Sequence, residues 1–194
     1  MAALRISASL STLALITVVG CAPAQPTTPP PTPSPTCTPE TGGTPYPCTP
    51  YNHDQMVTKD KLYTEAETVY RAFLAENERI YRLGGVTEPT AVLLKTTTGQ
   101  YLKDQLAMYR RLRATRATAS GGTFDIKWFQ RVPGESIGGS AVALRVCRDS
   151  HTVTMGAAGM KPHPGLINRE TGYFVTTPDG LKITASTYKP VEKC

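Results

Sequence analysis

The chain has 194 residues, a net charge of +6 at pH 7, 17 prolines and five cysteines. This length is enough for one domain with a proper hydrophobic core. No Cys-x-x-Cys or His-x-x-His spacing occurs, which argues against a zinc site, and no nucleic-acid-binding motif is visible.

The chain begins with a single charge and a short apolar run. Arg5 is the only charged residue among the first 39, and the mainly apolar residues 6–19 follow it. This run is shorter than the roughly 20 residues that a helix needs to cross a bilayer. A charged start, a short apolar middle and small residues at the end indicate an export signal in residues 1–20.

The end of this signal, VVGC at residues 18–21, resembles the lipobox of bacterial lipoproteins. In that family the cysteine receives a diacylglycerol and the signal is cleaved just before it. The resemblance implies a lipidated Cys21, palmitate or a similar acyl group, and a chain anchored on the outer face of the cell membrane. The alternative is an ordinary secretory signal, with Cys21 used in a disulfide.

A spacer follows the signal. Residues 22–50 contain 11 of the 17 prolines, many of them beside threonine, and no Lys or Arg. Such a composition favours an extended chain over a packed core. We therefore assign residues 21–58 to a linker and residues 59–194 to the globular body.

The cysteine count fits this organisation. If Cys21 carries lipid, Cys37, Cys48, Cys147 and Cys194 remain, and they can pair in three ways. We favour Cys37 with Cys48 and Cys147 with Cys194, because each pair then lies within one region of the chain. Export would place these pairs in an oxidising compartment, where disulfides persist.

Helical periodicity dominates the first half of the body. Thr64 and Glu67 have the spacing of a capping box, and apolar residues recur at helical spacing behind them until Gly84 and Gly85. A short helical piece is expected over residues 89–96 and a third helix over residues 100–116. The arginines near the end of the third helix suit the negative end of the helix dipole.

Alternating patterns then predict strands. Phe124, Ile126 and Trp128 alternate with Asp125, Lys127 and Phe129, and residues 142–147 alternate likewise. Further strands are expected over residues 172–177 and 181–188, joined by a Pro-Asp-Gly turn. Helices followed by antiparallel strands predict an α+β domain.

This order of elements resembles the NTF2-like cone, in which three N-terminal helices pack on a curved antiparallel sheet of about four strands. With VVGC, the Pro/Thr linker, a mid-strand cysteine in ALRVCRDS and a cysteine in YKPVEKC, the chain is similar to lipoproteins of actinobacteria and their phages. The resemblance implies a tethered domain and a possible homodimer. A phage origin would make superinfection exclusion an alternative function.

Some NTF2-like relatives are isomerases or hydrolases, and the residues for such chemistry can be named. Asp125 is the candidate carboxylate base, and the candidate hydrogen-bond donors are Tyr70, Tyr81 and Tyr109. The alternation of Asp125 with Phe124 and Ile126 predicts that its side chain faces solvent. We therefore favour a protein without catalysis, and an enzyme of this fold is the alternative.

Two other catalytic patterns have simpler explanations. Residues 134–138 match the Gly-x-Ser-x-Gly elbow of α/β-hydrolases, but that elbow joins a strand to a helix, and here strands are predicted on both sides. Asp149, Ser150 and His151 are triad residue types, but they are consecutive, whereas a triad is assembled in space. A polar turn is the better interpretation.

The remaining unusual segment is the Gly- and Met-containing loop of residues 155–165. We predict a partner-binding rim made of Arg145, Arg148, Lys161 and His163, because loops at a sheet edge often carry binding. The body holds all but one of the basic side chains, which suits anionic partners outside the cell. The expected partner is an envelope protein, a wall polymer or a small apolar ligand, with no cofactor, metal or nucleic acid.

Overall fold

The computed structural model describes residues 33–194. The predicted signal and Cys21 lie outside the described residues. Within them, no helix is both long enough and apolar enough to cross a membrane.

The first helix, α1, spans Pro50–Arg82 and is the longest element of the domain. Its N-cap is Thr49, whose hydroxyl oxygen accepts a hydrogen bond from the Asn52 amide at 3.2 Å, and Pro50 occupies the first turn. The capping box predicted at Thr64 is therefore wrong. The Thr64 hydroxyl instead donates to the Asp60 carbonyl one turn earlier, at 2.9 Å, as a threonine inside a helix can. The helix thus begins within the segment assigned to the linker.

Two shorter helices follow. Helix α2 spans Ala91–Thr96, and helix α3 spans Gly99–Thr115 and ends on Arg116 in the left-handed conformation, with φ of 53°. Both lie within about two residues of the expected positions. They return the chain to the sheet, where Thr97 forms a bridge with Ile183.

Nine strands form three antiparallel sheets in the described part of the chain. The two-stranded sheet contains β1 (Thr36–Cys37) and β2 (Tyr46–Pro47). The strands of the three-stranded sheet, in spatial order, are β3 (Thr118–Ser120), β6 (Thr154–Gly156) and β7 (His163–Pro164). The strands of the four-stranded sheet, again in spatial order, are β4 (Asp125–Arg131), β5 (Val142–Asp149), β8 (Ile167–Thr177) and β9 (Gly180–Pro190).

The predicted NTF2-like cone is therefore wrong, because its three helices were expected over one curved sheet. The small β1–β2 and β3–β6–β7 sheets are additional layers that the prediction lacks. Their strands have only two or three residues, so they are too short to show an alternating pattern in the sequence.

A β-bulge changes which residues of β4 face the helices. The register shifts between Ile126 and Trp128, so Ile126 and Phe129 both pack on the main core and Trp128 lies on the other face. Phe129 meets Tyr70 of α1 edge to face, with ring centroids 5.9 Å apart. The predicted simple alternation across Trp128 and Phe129 is wrong, because a bulge inserts one extra residue into the strand.

The main core lies between the helices and the inward face of the four-stranded sheet. It is unusually rich in tyrosine, and Tyr63, Tyr70 and Tyr109 are each at most 1% exposed. Burial is the main reason why the pKa of Tyr63 rises to about 12. The other large, fully buried side chains of this core are aliphatic or aromatic: Phe73, Ile80, Leu93, Leu144, Val146, Phe174 and Ile183.

Two disulfides join the chain to itself. Cys37 bonds Cys48, which closes the β1–β2 loop, and Cys147 in the middle of β5 bonds Cys194. These are the two pairs favoured from the sequence. Cys37 and Cys147 are both almost fully buried, so each bond attaches a loop or a terminal segment to packed structure.

Gly85 sets the distance between the end of α1 and α3. It has φ of 92°, and a Cβ at this position would overlap the carbonyl oxygen of Tyr109 and lie 2.8 Å from the Arg113 nitrogen. Both are backbone atoms of a continuous helix, which cannot yield as a flexible side chain can.

We predict that Gly85→Ala lowers the free energy of unfolding by about 3 kcal/mol or more, from left-handed strain and overpacking together. Gly42→Ala is the matched control, because Gly42 has φ of 85° and a Cβ added there would meet nothing within 4 Å. Urea denaturation with the disulfides intact would measure both. Equal losses in the two variants would contradict the packing argument.

Candidate functional site

A cavity of about 520 Å³ lies between α1, α3, the inward face of the four-stranded sheet, and strands β6 and β7. This size is within the range of small-molecule sites in proteins. Much of its wall is aromatic or thioether in character, contributed by Phe73, Tyr81, Tyr101, Met108, Phe124 and Tyr188. The cavity wall therefore combines apolar surface with polar side chains at defined positions.

A buried ion pair forms part of this cavity wall. Arg148 Nη2 lies 3.0 Å from Glu170 Oε2, and the Glu170 side chain is only 4% exposed. Tyr70 reaches the same carboxylate from α1 and donates its hydroxyl to Oε2 at 2.8 Å. These three groups connect the helix to β5 and β8.

The protonation states of these groups are held by their surroundings. Burial raises the pKa of Tyr70 well above its usual range, and the Glu170 charge adds to this, so the phenol remains a donor. Burial opposes the charge on Arg148, but Glu170 and the nearby tyrosines outweigh that effect and raise the pKa of the guanidinium. The Tyr70 phenol therefore keeps its proton and the Arg148 guanidinium keeps its charge.

Strand register explains why the pair forms. Arg148 on β5 is opposite Asn168 on β8, and Val146 is opposite Glu170. Side chains two positions apart share a sheet face, so Arg148, Asn168 and Glu170 all face the helices. Glu170 and Asn168 were missed from the sequence because this strand was expected to begin at Gly172. The alternation of Asn168, Glu170, Gly172 and Phe174 was the signal that could have extended the strand.

Two residues that line the cavity each have one buried side-chain atom without a hydrogen-bond partner in the described part of the chain. Arg148 Nε and Asn168 Oδ1 are both buried and unpaired within residues 33–194. Arg169 Nε is also unpaired, but Arg169 lies on the opposite face of β8, with its guanidinium 5.7 Å from the Trp128 ring centroid. Buried polar groups in native proteins are usually paired, so these three atoms are exceptions.

The structure separates the four residues of the predicted rim. Arg148 and His163 both line the cavity. Arg145 lies on the opposite face of β5, where it pairs with Glu135 at 3.1 Å. Lys161 is exposed in the loop before β7 and is not among the lining residues. A single rim containing all four side chains is therefore not formed, because Arg145 and Arg148 are an odd number of positions apart on one strand.

The candidate isomerase groups are also separated. Asp125 lies on β4, and its carboxylate forms a salt bridge with Lys127 at 3.1 Å. Asp125 is not among the residues that line the cavity. Hydrogen bonds from Thr123 and Lys127 lower the pKa of Asp125. Tyr81 does line the cavity, whereas Tyr109 is fully buried and its hydroxyl donates to Asn77 Oδ1 at 3.2 Å.

The consecutive Asp149, Ser150 and His151 lie at the end of β5, beside the cavity. His151 bonds Asp149 through both its ring nitrogen, at 2.5 Å, and its backbone amide, at 3.1 Å. The Ser150 hydroxyl donates to the Leu166 carbonyl at 2.7 Å rather than to the histidine. Burial acts to raise the pKa of Asp149, but the His151 bonds and Lys127 outweigh it and lower that pKa. This arrangement is a polar turn.

The Gly-x-Ser-x-Gly segment connects the antiparallel strands β4 and β5. The Ser136 hydroxyl bonds Ser140, within the same loop. A strand rather than a helix follows it, so the geometry of a nucleophile elbow is not present at this segment. Across residues 33–194, no three His, Cys, Asp or Glu side chains form a group that could hold a metal ion.

Comparisons with known proteins give little further information. No family model matches the sequence, and no curated protein matches it. Among solved structures, the chain is similar to the intermembrane space region of the chloroplast protein ARC6, with 12% sequence identity and a TM-score of 0.39. That match covers 62% of this chain and 97% of the other. So low a score carries no argument about fold or function.

The buried ion pair yields a stability prediction. Arg148→Met would leave Glu170 buried without its partner charge, and we expect a loss of about 3–5 kcal/mol in the free energy of unfolding. Adding Glu170→Gln removes that charge and keeps an oxygen for the Tyr70 hydroxyl, so the double variant should recover much of the loss.

Arg145→Met is the matched control on the same strand. Its partner Glu135 is 44% exposed, so we expect a loss of at most about 1 kcal/mol. Urea denaturation would measure these differences. It would be run on the wild type, the single variants Arg148→Met and Glu170→Gln, the double variant and the Arg145→Met control. A double variant whose loss equals the sum of the two single losses would contradict the coupling.

Proposed function

We propose that this chain is a binding protein of the bacterial cell envelope that takes a small, largely apolar molecule into the cavity between α1, α3 and the sheet. The observation that carries the proposal is the cavity itself, at about 520 Å³ and with aromatic and thioether side chains in its wall. An apolar ligand gains by transfer from water to such a wall, and the few polar groups fix its orientation.

The position of the polar groups supports binding of a small molecule over docking of a large one. Glu170 belongs to the cavity wall, is 4% exposed and contacts Tyr70 of α1, so a macromolecular surface would not reach its carboxylate. Tyr188, the cross-strand partner of Glu170 on β9, and Leu166 also line the cavity and are 70% and 55% exposed, which gives an apolar entrance.

Binding without catalysis is part of the proposal. Glu170 is occupied by Arg148 and Tyr70, so it is a poor general base. Asp125, the base considered from the sequence, bonds Lys127 outside the cavity. These contacts favour a site that binds a ligand over a site that catalyses proton transfer to or from it.

The proposed location is the outer face of the cell membrane. The two disulfides are consistent with an extracellular protein, since such bonds persist in oxidising compartments. The anchor rests on the VVGC sequence at residues 18–21. Two acyl chains on Cys21 would hold the domain stably at the membrane.

The binding proposal predicts that substitutions on the two faces of β9 affect ligand binding differently. Ser186 lines the cavity, whereas Thr187 pairs with Thr171 on the opposite face. We expect the neutral apolar dye Nile red to bind the wild type, and Ser186→Phe to weaken that binding by about tenfold or more by filling the cavity. Thr187→Phe, the matched control, should bind as the wild type does. Equal binding by all three proteins would place the dye elsewhere and contradict the proposal.

The proposed lipid anchor on Cys21 predicts the intact mass of the mature protein. Protein extracted from the membrane fraction should have the intact mass of a chain cleaved before Cys21 and carrying a diacylglycerol. Reduction should add two hydrogen atoms for each of the two disulfides. Cys21→Ser should remain uncleaved by the lipoprotein route and lose the lipid mass. An unlipidated wild-type mass would contradict the anchor and leave the cavity proposal intact.

A further inference from the structure

We infer that the ligand of this cavity is an organic cation, in which an apolar body carries an ammonium group. This inference rests on the proposed binding function and specifies the chemical class of the ligand. It is based on two independent features of the cavity lining: a carboxylate without a compensating charge, and aromatic rings that make no cation–π contact within the described residues.

The charge of the cavity lining is opposite to that of the whole chain. The chain has a net charge of +6 at pH 7. The lining has three carboxylates and one guanidinium, a net charge of −2 when His163 is neutral. Arg148 is matched by Glu170 at 3.0 Å. The excess negative charge therefore belongs to Asp104 and Asp149, and a concave site with one sign of charge attracts ligands of the opposite sign.

Asp104 is the carboxylate without a compensating charge. It lies on α3 between Tyr101 and Met108, three residues after the first and four before the second, so all three share the helix face that lines the cavity. The Gln100 side-chain amide donates to Asp104 Oδ1 at 2.8 Å. Within residues 33–194, however, Asp104 has no ion-pair partner. Because the side chain is exposed, an ammonium group beside it would keep part of its hydration.

Asp149 is only partly compensated. His151 Nδ1 lies 2.5 Å from its Oδ1, and Lys127 Nζ lies 3.7 Å from its Oδ2. Lys127 is closer to Asp125, at 3.1 Å, so two carboxylates share one ammonium group. A ligand carboxylate would therefore add negative charge beside groups that already lack enough cations, whereas a ligand ammonium would reduce this imbalance.

The aromatic wall is a second source of attraction for a cation. The faces of aromatic rings attract ammonium groups, and the attraction is stronger where water is excluded. The rings that line the cavity belong to Phe73, Tyr81, Tyr101, Phe124 and Tyr188. The cation–π contacts of the described residues pair Arg71 with Phe129, Arg131 with Tyr63, and Arg169 with Trp128. All three contacts use rings outside this cavity, so in residues 33–194 the rings of the wall remain available to a ligand.

Three matched aromatic probes test the charge of the ligand. 2-Naphthylmethylammonium is a cation at pH 7, 2-naphthylmethanol is its neutral counterpart, and 2-naphthoate is an anion. Isothermal titration calorimetry on the full disulfide-bonded protein, at about 0.15 M salt, would measure their dissociation constants. We expect the ammonium probe to bind about tenfold more tightly than the alcohol, and 2-naphthoate to bind more weakly than the alcohol. Non-specific attraction to a chain of net charge +6 would give the reverse order.

A pair of aspartate variants tests the position of the ammonium group. Asp104→Asn removes the charge and keeps an oxygen for Gln100, so the preference for ammonium over alcohol should fall from about tenfold to about threefold or less. Asp54→Asn is the matched control, because it changes the net charge equally and Asp54 is 82% exposed. It lies on α1 about 28 Å along the helix axis from Phe73 of the cavity wall, and it should retain the tenfold preference. Near-ultraviolet circular dichroism would check that both variants keep the wild-type fold.

The outcomes distinguish this inference from the proposed function. Equal affinities for the ammonium probe and the alcohol, or tightest binding of 2-naphthoate, would overturn the inference and leave an apolar binding site in place. An ammonium preference that Asp104→Asn leaves unchanged, or that Asp54→Asn reduces as much, would also overturn it. The same holds for Nile red binding that is sensitive to Ser186→Phe without binding of any naphthalene probe. If neither Nile red nor the probes bind, the proposed function fails and the inference fails with it.

Discussion

The buried carboxylate of Glu170 is the constraint around which this domain is arranged. A charge in a site that is 4% exposed destabilises the fold unless it is paired and hydrogen-bonded. Arg148 supplies the charge from β5 and Tyr70 supplies the hydrogen bond from α1. Because the partners come from a different strand and from a helix, the pairing fixes how α1 lies on the sheet, and it also fixes the polar end of the cavity.

The larger elements could be predicted from the sequence because their patterns are long. Helix α3 and strands β5, β8 and β9 lie where helical or alternating periodicity placed them, although β8 begins five residues earlier than expected. The start of α1 was missed because Thr49 and Pro50 look like a continuation of the Pro/Thr segment. Pro50 is instead in the first turn of α1, where the fixed φ of proline suits the helix, and it is not part of an extended linker.

The cavity could be predicted only in part, since its residues meet through the register of strands. Arg148 and His163 were singled out from the sequence and do line it. Arg145 was grouped with them by proximity in the chain, but a shift of three positions on a strand reverses the face. Asn168 and Glu170 were missed because the strand that contains them was expected to begin at Gly172. The bulge in β4, which turns Phe129 toward Tyr70, leaves no signature in residue spacing at all.

The Cys147–Cys194 bond has a consequence for how the protein withstands proteases. It closes a covalent ring that contains β6, β7, β8 and β9, the strands that supply much of the cavity wall. The exposed segment around Met160 lies inside this ring and is the part of it most open to cleavage. A single cut there would leave both pieces joined by the disulfide and by the β5–β8 ladder, so a nicked molecule would keep its mass on a non-reducing gel and separate only after reduction.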